Sequence, residues 1–311
     1  MLPLVKIQKL QRYTKQLKTI KVYILEFISK AIFMSSSMVF DIYRITSPEL
    51  SRYIQYILFN YCGEPSHSQF ITSFANTNIC LGIVKEKELC CRPDGVKCMR
   101  YKPGINAYLS GMYLRPHRFE AAGLLDEICI DFTPVGYYRF FRFPAKMYIL
   151  NEDVLTEGFG KDAKIFFETV FEVADFQERG ALIEDFLRRM LIDAHTTFLE
   201  ECLYFIHRSY GTITLKDLAA RLQCSEKKIV RAFLYSFDLT PKDYMRIVRF
   251  RKALCGMNGN HTGSLTSICY ESDYFDQSHF IKDFRFFTGK TPKQIMDTIV
   301  DVQQNVIIGV E

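Results

Sequence analysis

An internal repeat constrains this chain more than any other feature. Phe233-Leu-Tyr-Ser-Phe-Asp-Leu-Thr240-Pro241-Lys242 aligns with Phe284-Arg-Phe-Phe-Thr-Gly-Lys-Thr291-Pro292-Lys293 at an offset of 51 residues. Upstream, Leu215, Leu218 and Ala219 align with Leu265, Ile268 and Cys269 at an offset of 50, so one extra residue lies in the second turn. Each copy reads as helix, tight turn, helix. In the first, Thr214 caps a helix carrying Leu215, Leu218, Ala219 and Leu222, with Asp217 three residues on, close to a capping box. Ser225 caps the next helix, whose apolar stripe is Ile229, Phe233 and Phe237 and whose other face shows Glu226, Lys227, Lys228 and Arg231. In the second copy Ser264 and Asp276 are the caps. Phe280, Phe284 and Phe287 face inward, and Gln277, Ser278, His279, Lys282 and Arg285 face out. An apolar stripe that anchors the second helix, with polar and basic side chains near its N-terminus, is the form needed to present side chains to base edges in a major groove.

Charge is distributed unevenly along the 311 residues. Residues 1–33 hold seven Lys/Arg and one Glu, 34–199 hold 18 basic and 21 acidic side chains, and 200–299 hold 15 basic and 11 acidic. A mildly acidic middle followed by a basic unit suggests separate tasks, with the basic unit as the candidate for a polyanion. The length and the 48% hydrophobic content support two domains.

The second copy, from Ser267 to Pro292, carries a family resemblance. The last hundred or so residues resemble the DNA-binding domain of the AraC/XylS family of transcription regulators, which has two helix-turn-helix units. This chain has Asp273 where the family usually has a glycine in the turn, and Cys269 where it usually has alanine. Asp accepts positive φ better than most residues, so the turn is expected to form. The resemblance implies base-reading positions at Lys227, Val230 and Arg231 in the first recognition helix and at Gln277, Ser278, His279 and Lys282 in the second. Arg and Lys favour guanine, Gln favours adenine, and Val230 reaches only a thymine methyl. Lys228 and Arg285 share those faces. Arg246, Arg249, Arg251 and Lys252, on the helix linking the copies, are candidate phosphate clamps. Each of these side chains equally fits an ordinary solvated helix face, and those of the linking helix also fit core salt bridges.

Upstream, Pro48-Glu49-Leu50 is expected to open a helix running through Leu58. Residues 68–132 then read as strands at Phe70-Ile71, Ile79–Val84, Tyr108–Tyr113 and Leu125–Phe132, with Arg92-Pro93-Asp94-Gly95 as a turn. From Ala163 the period becomes helical, through Ile165, Phe166, Val170 and Val173 and then Leu182, Phe186, Leu187, Met190 and Leu191. The run from Ile128 to Pro144, with Phe132-Thr-Pro134-Val-Gly136, is similar to the N-terminal domain of AraC-type regulators of Bacteroidetes-like bacteria. Its aromatics suit either a core or the lining of a small-molecule pocket.

The predicted class is α+β: a β-rich barrel- or sandwich-like domain with flanking helices over 34–195, then an all-α double helix-turn-helix domain over 196–299. A basic extension covers 1–33 and a tail 300–311. The extension is interrupted by Glu26 and Lys30 and lacks a cleavage site, which fits neither a signal peptide nor a span. The ten cysteines include no CxxC pair and read as reduced thiols of a cytoplasmic protein. Cys90, Cys91, Cys98, His117 and the basic loop around Arg115 and Arg118 form no evident nucleophile–base pair, so no enzyme, cofactor or metal is expected. The resemblance implies a sequence-specific regulator with double-stranded DNA and RNA polymerase as partners. It leaves room for a small-molecule effector in the first domain and for a homodimer, and involves no membrane. The alternative is a β-barrel small-molecule enzyme or binding protein with a helical oligomerisation module.

Overall fold

The computed structural model describes residues 38–142, 144, 153–192, 197–257, 264–296, 299–301 and 307–310; the basic extension 1–33 lies outside them. The first half is a nine-stranded sheet. Its strands are β1 (Met38–Tyr43), β2 (Ile54–Cys62), β3 (Ser68–Ser73), β4 (Ile79–Cys91), β5 (Lys97–Ser110), β6 (His117–Ala122), β7 (Leu125–Phe132), β8 (Ile299–Asp301) and β9 (Ile307–Val310). The spatial order is β1-β2-β7-β4-β5-β6-β3-β9-β8. Neighbours run antiparallel except β5 and β6, which pair in parallel through Lys97 with Phe119 and Cys98 with Glu120. The predicted turn joins β4 to β5: the Gly95 N–H donates to the Arg92 carbonyl at 2.9 Å, with Gly95 at φ 83°.

The sheet curls. Met38 of β1 and Ile71 of β3, far apart in strand order, share one apolar cluster with Cys62, Val84, Ala121 and Leu125. On the convex face, Ile57, Phe59, Leu81, Ile83, Ile128, Ile130 and Phe132 pack against the helices α1 (Val154–Phe159), α2 (Ala163–Phe171) and α3 (Phe176–Met190). Each fully buried side chain of this kind contributes about 1.5–3 kcal/mol. Asp175 caps α3 by accepting from the Glu178 N–H. Glu184 of α3 ties the helix to the strand edge, accepting from the Tyr43 hydroxyl at 2.6 Å and the Ser47 N–H at 2.6 Å.

Two expectations are corrected here. The helix expected from Pro48 to Leu58 is a single 3-10 turn, Leu50–Arg52, followed by β2. Both faces of β2 are covered, so its apolar residues run almost without interruption and hide the two-residue period. The tail expected at 300–311 instead supplies strand pairing: β9 pairs with β3, with Ile71 opposite Val310 and Ser73 opposite Ile308. Of the two readings the sequence left for the aromatics after β7, the core one holds: Tyr137, Phe140 and Phe141 pack in the convex-face core. Gly136 is required where the chain turns into them, because a Cβ there would sit 1.8 Å from the Tyr53 carbonyl oxygen.

The second half is helical: α4 (Phe198–Arg208), α5 (Leu215–Arg221), α6 (Glu226–Phe237), α7 (Pro241–Gly256), α8 (Leu265–Glu271), α9 (Gln277–Thr288) and α10 (Pro292–Met296). One apolar cluster runs through all of them and takes in Phe74 and Ala75 from the end of β3, with Met112, Leu114, Val135 and Tyr138 packed against it. Polar contacts join the same two parts. Arg139 meets Glu200 at 2.7 Å, the Tyr138 hydroxyl donates to the Ser236 carbonyl at 3.0 Å, and Arg115 donates to the Phe286 carbonyl at 3.2 Å while lying over its ring.

Candidate functional site

Apart from the one residue inserted in the second turn, the two copies match in capping and in left-handed turn residues. Thr214 and Ser264 cap α5 and α8, accepting from the N–H of Asp217 and Ser267. Each first helix ends on a left-handed residue, Gln223 at φ 48° and Asp273 at φ 59°. The following amides close matching bonds, Cys224 N–H to the Ala219 carbonyl at 3.0 Å and Tyr274 N–H to the Cys269 carbonyl at 3.1 Å. The glycine position filled by Asp273 thus keeps its left-handed turn. Ser225 and Asp276 then cap α6 and α9 through the N–H of Lys228 and His279. Both second helices end left-handed, at Asp238 (φ 57°) and Gly289 (φ 73°). The extra residue of the second turn places Phe275 beside the α9 cap, 89% exposed. Sequence reasoning located the insertion but did not single out this side chain.

Ile229, Phe233 and Phe237 on α6, and Phe280, Phe284 and Phe287 on α9, are buried as the stripe predicts. Lys227, Lys228 and Arg231 are exposed on α6; Gln277, Ser278, His279, Lys282 and Arg285 are exposed on α9, and Val230 is half-buried. Some are held rather than loose. Gln277 donates to the Thr266 hydroxyl at 2.7 Å, Lys228 lies over the Phe198 ring, and His279 stands 3.8 Å from the Asp283 carboxylate. The two faces therefore present polar and cationic groups at two helix N-termini, where the helix dipole adds positive potential.

The expected phosphate clamps on α7 do not join these faces. Arg246 bonds Asp283 at 2.9 Å and Asp243 at 3.3 Å, over the rings of Phe286 and Phe287. Arg249 donates to the Gly211 carbonyl, and Lys252 meets Asp273 at 2.7 Å. Arg251 points the other way and lines a cavity inside the curled sheet. All four are half-buried. Arg246, Arg249 and Lys252 thus take the packing and salt-bridge reading that the sequence left open for them.

That cavity, about 190 Å³, lies in the domain where the sequence left room for an effector, but none of the described aromatics of 132–144 lines it. Its floor is the concave face of β7 and its neighbours: Glu127, Cys129 and Asp131, with Tyr56 and Asn60 from β2 and Tyr108 from β5. Gly82 makes room for the Tyr108 ring, since a Cβ there would lie 2.2 Å from it. The Tyr108 hydroxyl and the Asn60 amide donate to the two oxygens of Glu127, at 2.6 and 2.7 Å. Burial raises the Glu127 pKa, those bonds opposing it. Burial pushes Asp131 up to about 8 against the pull of Asn78 and Arg251. His117 also lines the space, stacked on Tyr113 at 4.1 Å, and burial brings it down to about 4. Of the thiol cluster, Cys90 and Cys98 face each other across the β4–β5 hairpin with sulfurs 3.0 Å apart, and Cys91 is exposed. Among the described residues no three His, Cys, Asp or Glu side chains come together as a metal site, and no helix is long and apolar enough to cross a membrane.

Comparison with known proteins places the repeat. Residues 218–298 match a family model described as a helix-turn-helix domain. The Msm operon regulatory protein of Streptococcus mutans is 26% identical over 124 residues, 39% of this chain and 44% of that protein. The chain thus matches less than half the length of this curated relative. Among solved structures, unsaturated-fatty-acid-bound wild-type ToxT of Vibrio cholerae is 12% identical, with 83% of this chain and 94% of that chain covered at a TM-score of 0.42. The AraC-like transcriptional activator CuxR is 14% identical, with 74% and 91% covered at a TM-score of 0.21. Residues 218–298 are a helix-turn-helix domain.

Proposed function

We propose that the chain is a sequence-specific transcription regulator that reads DNA with α6 and α9 together. The observation that carries this reading is the duplicated presentation: two capped helix N-termini, each anchored by a buried aromatic stripe, each with its polar row exposed. On this reading the two helices enter successive major grooves on one face of the duplex, about 34 Å apart. Lys227, Lys228 and Arg231 lie on the first and Gln277, Ser278, His279, Lys282 and Arg285 on the second. Arg231 and Gln277 suit bidentate contacts to guanine and adenine. Arg249 and Arg251 stabilise the frame and do not clamp phosphate.

The curled sheet serves as the sensing part, with its cavity as the effector site. Arg251 supports a route between them: it stands on α7, between the two recognition units, and forms part of the cavity wall. A ligand there bears directly on the helix that sets the spacing of α6 and α9, and so shifts the population of DNA-competent arrangements. RNA polymerase is the expected downstream partner, and a homodimer would set two such readers on one promoter. The chain works by binding rather than catalysis.

Selection from random duplexes with the purified full chain at about 150 mM salt tests the proposal. Enrichment of two short blocks spaced near one helical turn supports it. Retention that enriches no motif and simply fades with added salt overturns it.

A further inference from the structure

The cavity in the curled sheet has unmet demands of both signs. Asp131 is only 4% exposed; one carboxylate oxygen accepts from the Asn78 amide, and the other accepts from no described residue. Lys97 lines the same cavity half-buried, and its ammonium makes no hydrogen bond or ion pair with any described residue. The Asn60 side-chain oxygen and His117 Nδ1 are buried in the same lining without partners. Glu127, in contrast, has a donor on each oxygen. Buried polar groups are ordinarily paired, and an unpaired buried charge is costly, so these atoms mark what the space is shaped to receive.

The size and formal charge of the lining narrow the ligand. A cavity of about 150 Å³ takes a benzene molecule, so 190 Å³ accommodates roughly eight non-hydrogen atoms, the size of a mid-sized amino acid rather than a long acyl chain. The lining holds two carboxylates, Glu127 and Asp131, and two cations, Lys97 and Arg251. A ligand of one sign would answer either Asp131 or the Lys97 ammonium and leave the other uncompensated. We propose that the cavity binds a small zwitterionic metabolite of the amino-acid class, its ammonium donating to the second oxygen of Asp131 and its acidic group accepting from Lys97. This rests on the sheet being the sensing part and specifies the chemistry it senses. Burial disfavours the charged Asp131 carboxylate and an adjacent ammonium favours it, so a cationic donor bound there also releases the proton that burial would retain.

The test is calorimetric titration and thermal melting of the purified full chain, without DNA. The probes are the proteinogenic amino acids singly, with β- and γ-amino acids, a hexose panel and oleate. For each amino acid that binds, the des-amino acid and the decarboxylated amine are titrated in parallel. At least one amino acid is expected to bind and raise Tm, with each half-molecule weaker by about tenfold or more. Asp131→Asn is expected to erase the preference for the amine-bearing probe and Lys97→Met the preference for the acid-bearing one, circular dichroism confirming that both variants fold. Binding of oleate or a hexose with every amino acid silent overturns the assignment. So do half-molecules that bind as well as the zwitterion, and a panel that leaves Tm unmoved at millimolar concentration. Selection on random duplexes is run on the same preparation, so failure of the ligand assignment is distinguishable from failure of the DNA-binding reading.

Discussion

Arg231 and Arg249 carry the same guanidinium to opposite uses. Arg231 is exposed on α6, whereas Arg249 is half-buried and spends a donor on the Gly211 carbonyl. Arg231→Ala is expected to leave Tm within a degree or two of the parent and to cost about 1–3 kcal/mol in operator affinity, relaxing preference at one base position. Arg249→Ala is expected to lower stability by about 1–2 kcal/mol in urea titration, since a charge-assisted bond to a carbonyl is lost. A stability loss for Arg231→Ala with none for Arg249→Ala would reverse the assignment. Charge alone did not separate these residues in the sequence, because what separates them is which elements close over α7. The four capping residues of the repeat, by comparison, were legible in the sequence. Capping is decided within three residues of chain, and Thr214, Ser225, Ser264 and Asp276 each accept the expected N–H.

At the scale of elements, the two helical copies differ in how tightly the second helix is launched. Asp276 accepts from His279 N–H at 2.7 Å, against 3.3 Å for Ser225 and Lys228 N–H, and its carboxylate also meets the helix dipole. Asp276→Ala is expected to cost about 1 kcal/mol, read by chemical denaturation, and to weaken operator binding through fraying of α9. Strand content was harder to read than helix content, for a physical reason. In β7, polar Glu127 and Asp131 alternate with Ile128 and Ile130, a pattern that reads as one solvated face and one buried face. Here both faces are covered, and the polar one lines a cavity. Closure of the sheet over itself depends on strands distant in sequence, such as β1 and β3, so no local period announces it. The same covering turned β2 into an apolar run that passes for a helix.

For the whole molecule, the cavity sets a pH dependence. Asp131 titrates near 8 in the folded chain, against about 4 in an unfolded one, so the folded state holds the extra proton and stability falls as pH climbs through that window. His117 works the other way: its folded value near 4 lies below the unfolded value of about 6.5, so stability is lost as pH falls from 6.5 towards 4. Asp131→Asn removes the first effect alone. Its Tm is expected to exceed the parent's by more at pH 8 than at pH 5; an equal or smaller gain at pH 8 would contradict the buried carboxyl.

The return of the chain through β9 to the first sheet has a mechanical meaning. The chain enters the helical half before α4 and, after α10, pairs with β3 again. Ile308 stands in that ladder opposite Ser73, and proline there lacks the N–H that a ladder position supplies. Ile308→Pro is expected to speed proteolytic cleavage between the two halves while leaving the helical half folded. A body joined by one strand of chain swings like a door, but one crossed by the chain twice and packed between the crossings can only twist within the slack that these joints leave. On the proposed reading, α6 and α9 are hung on two chain crossings and on the packed seam of Phe74, Tyr138 and Arg139, so a ligand in the sheet would steer them by torsion, through small angles, rather than by letting them go.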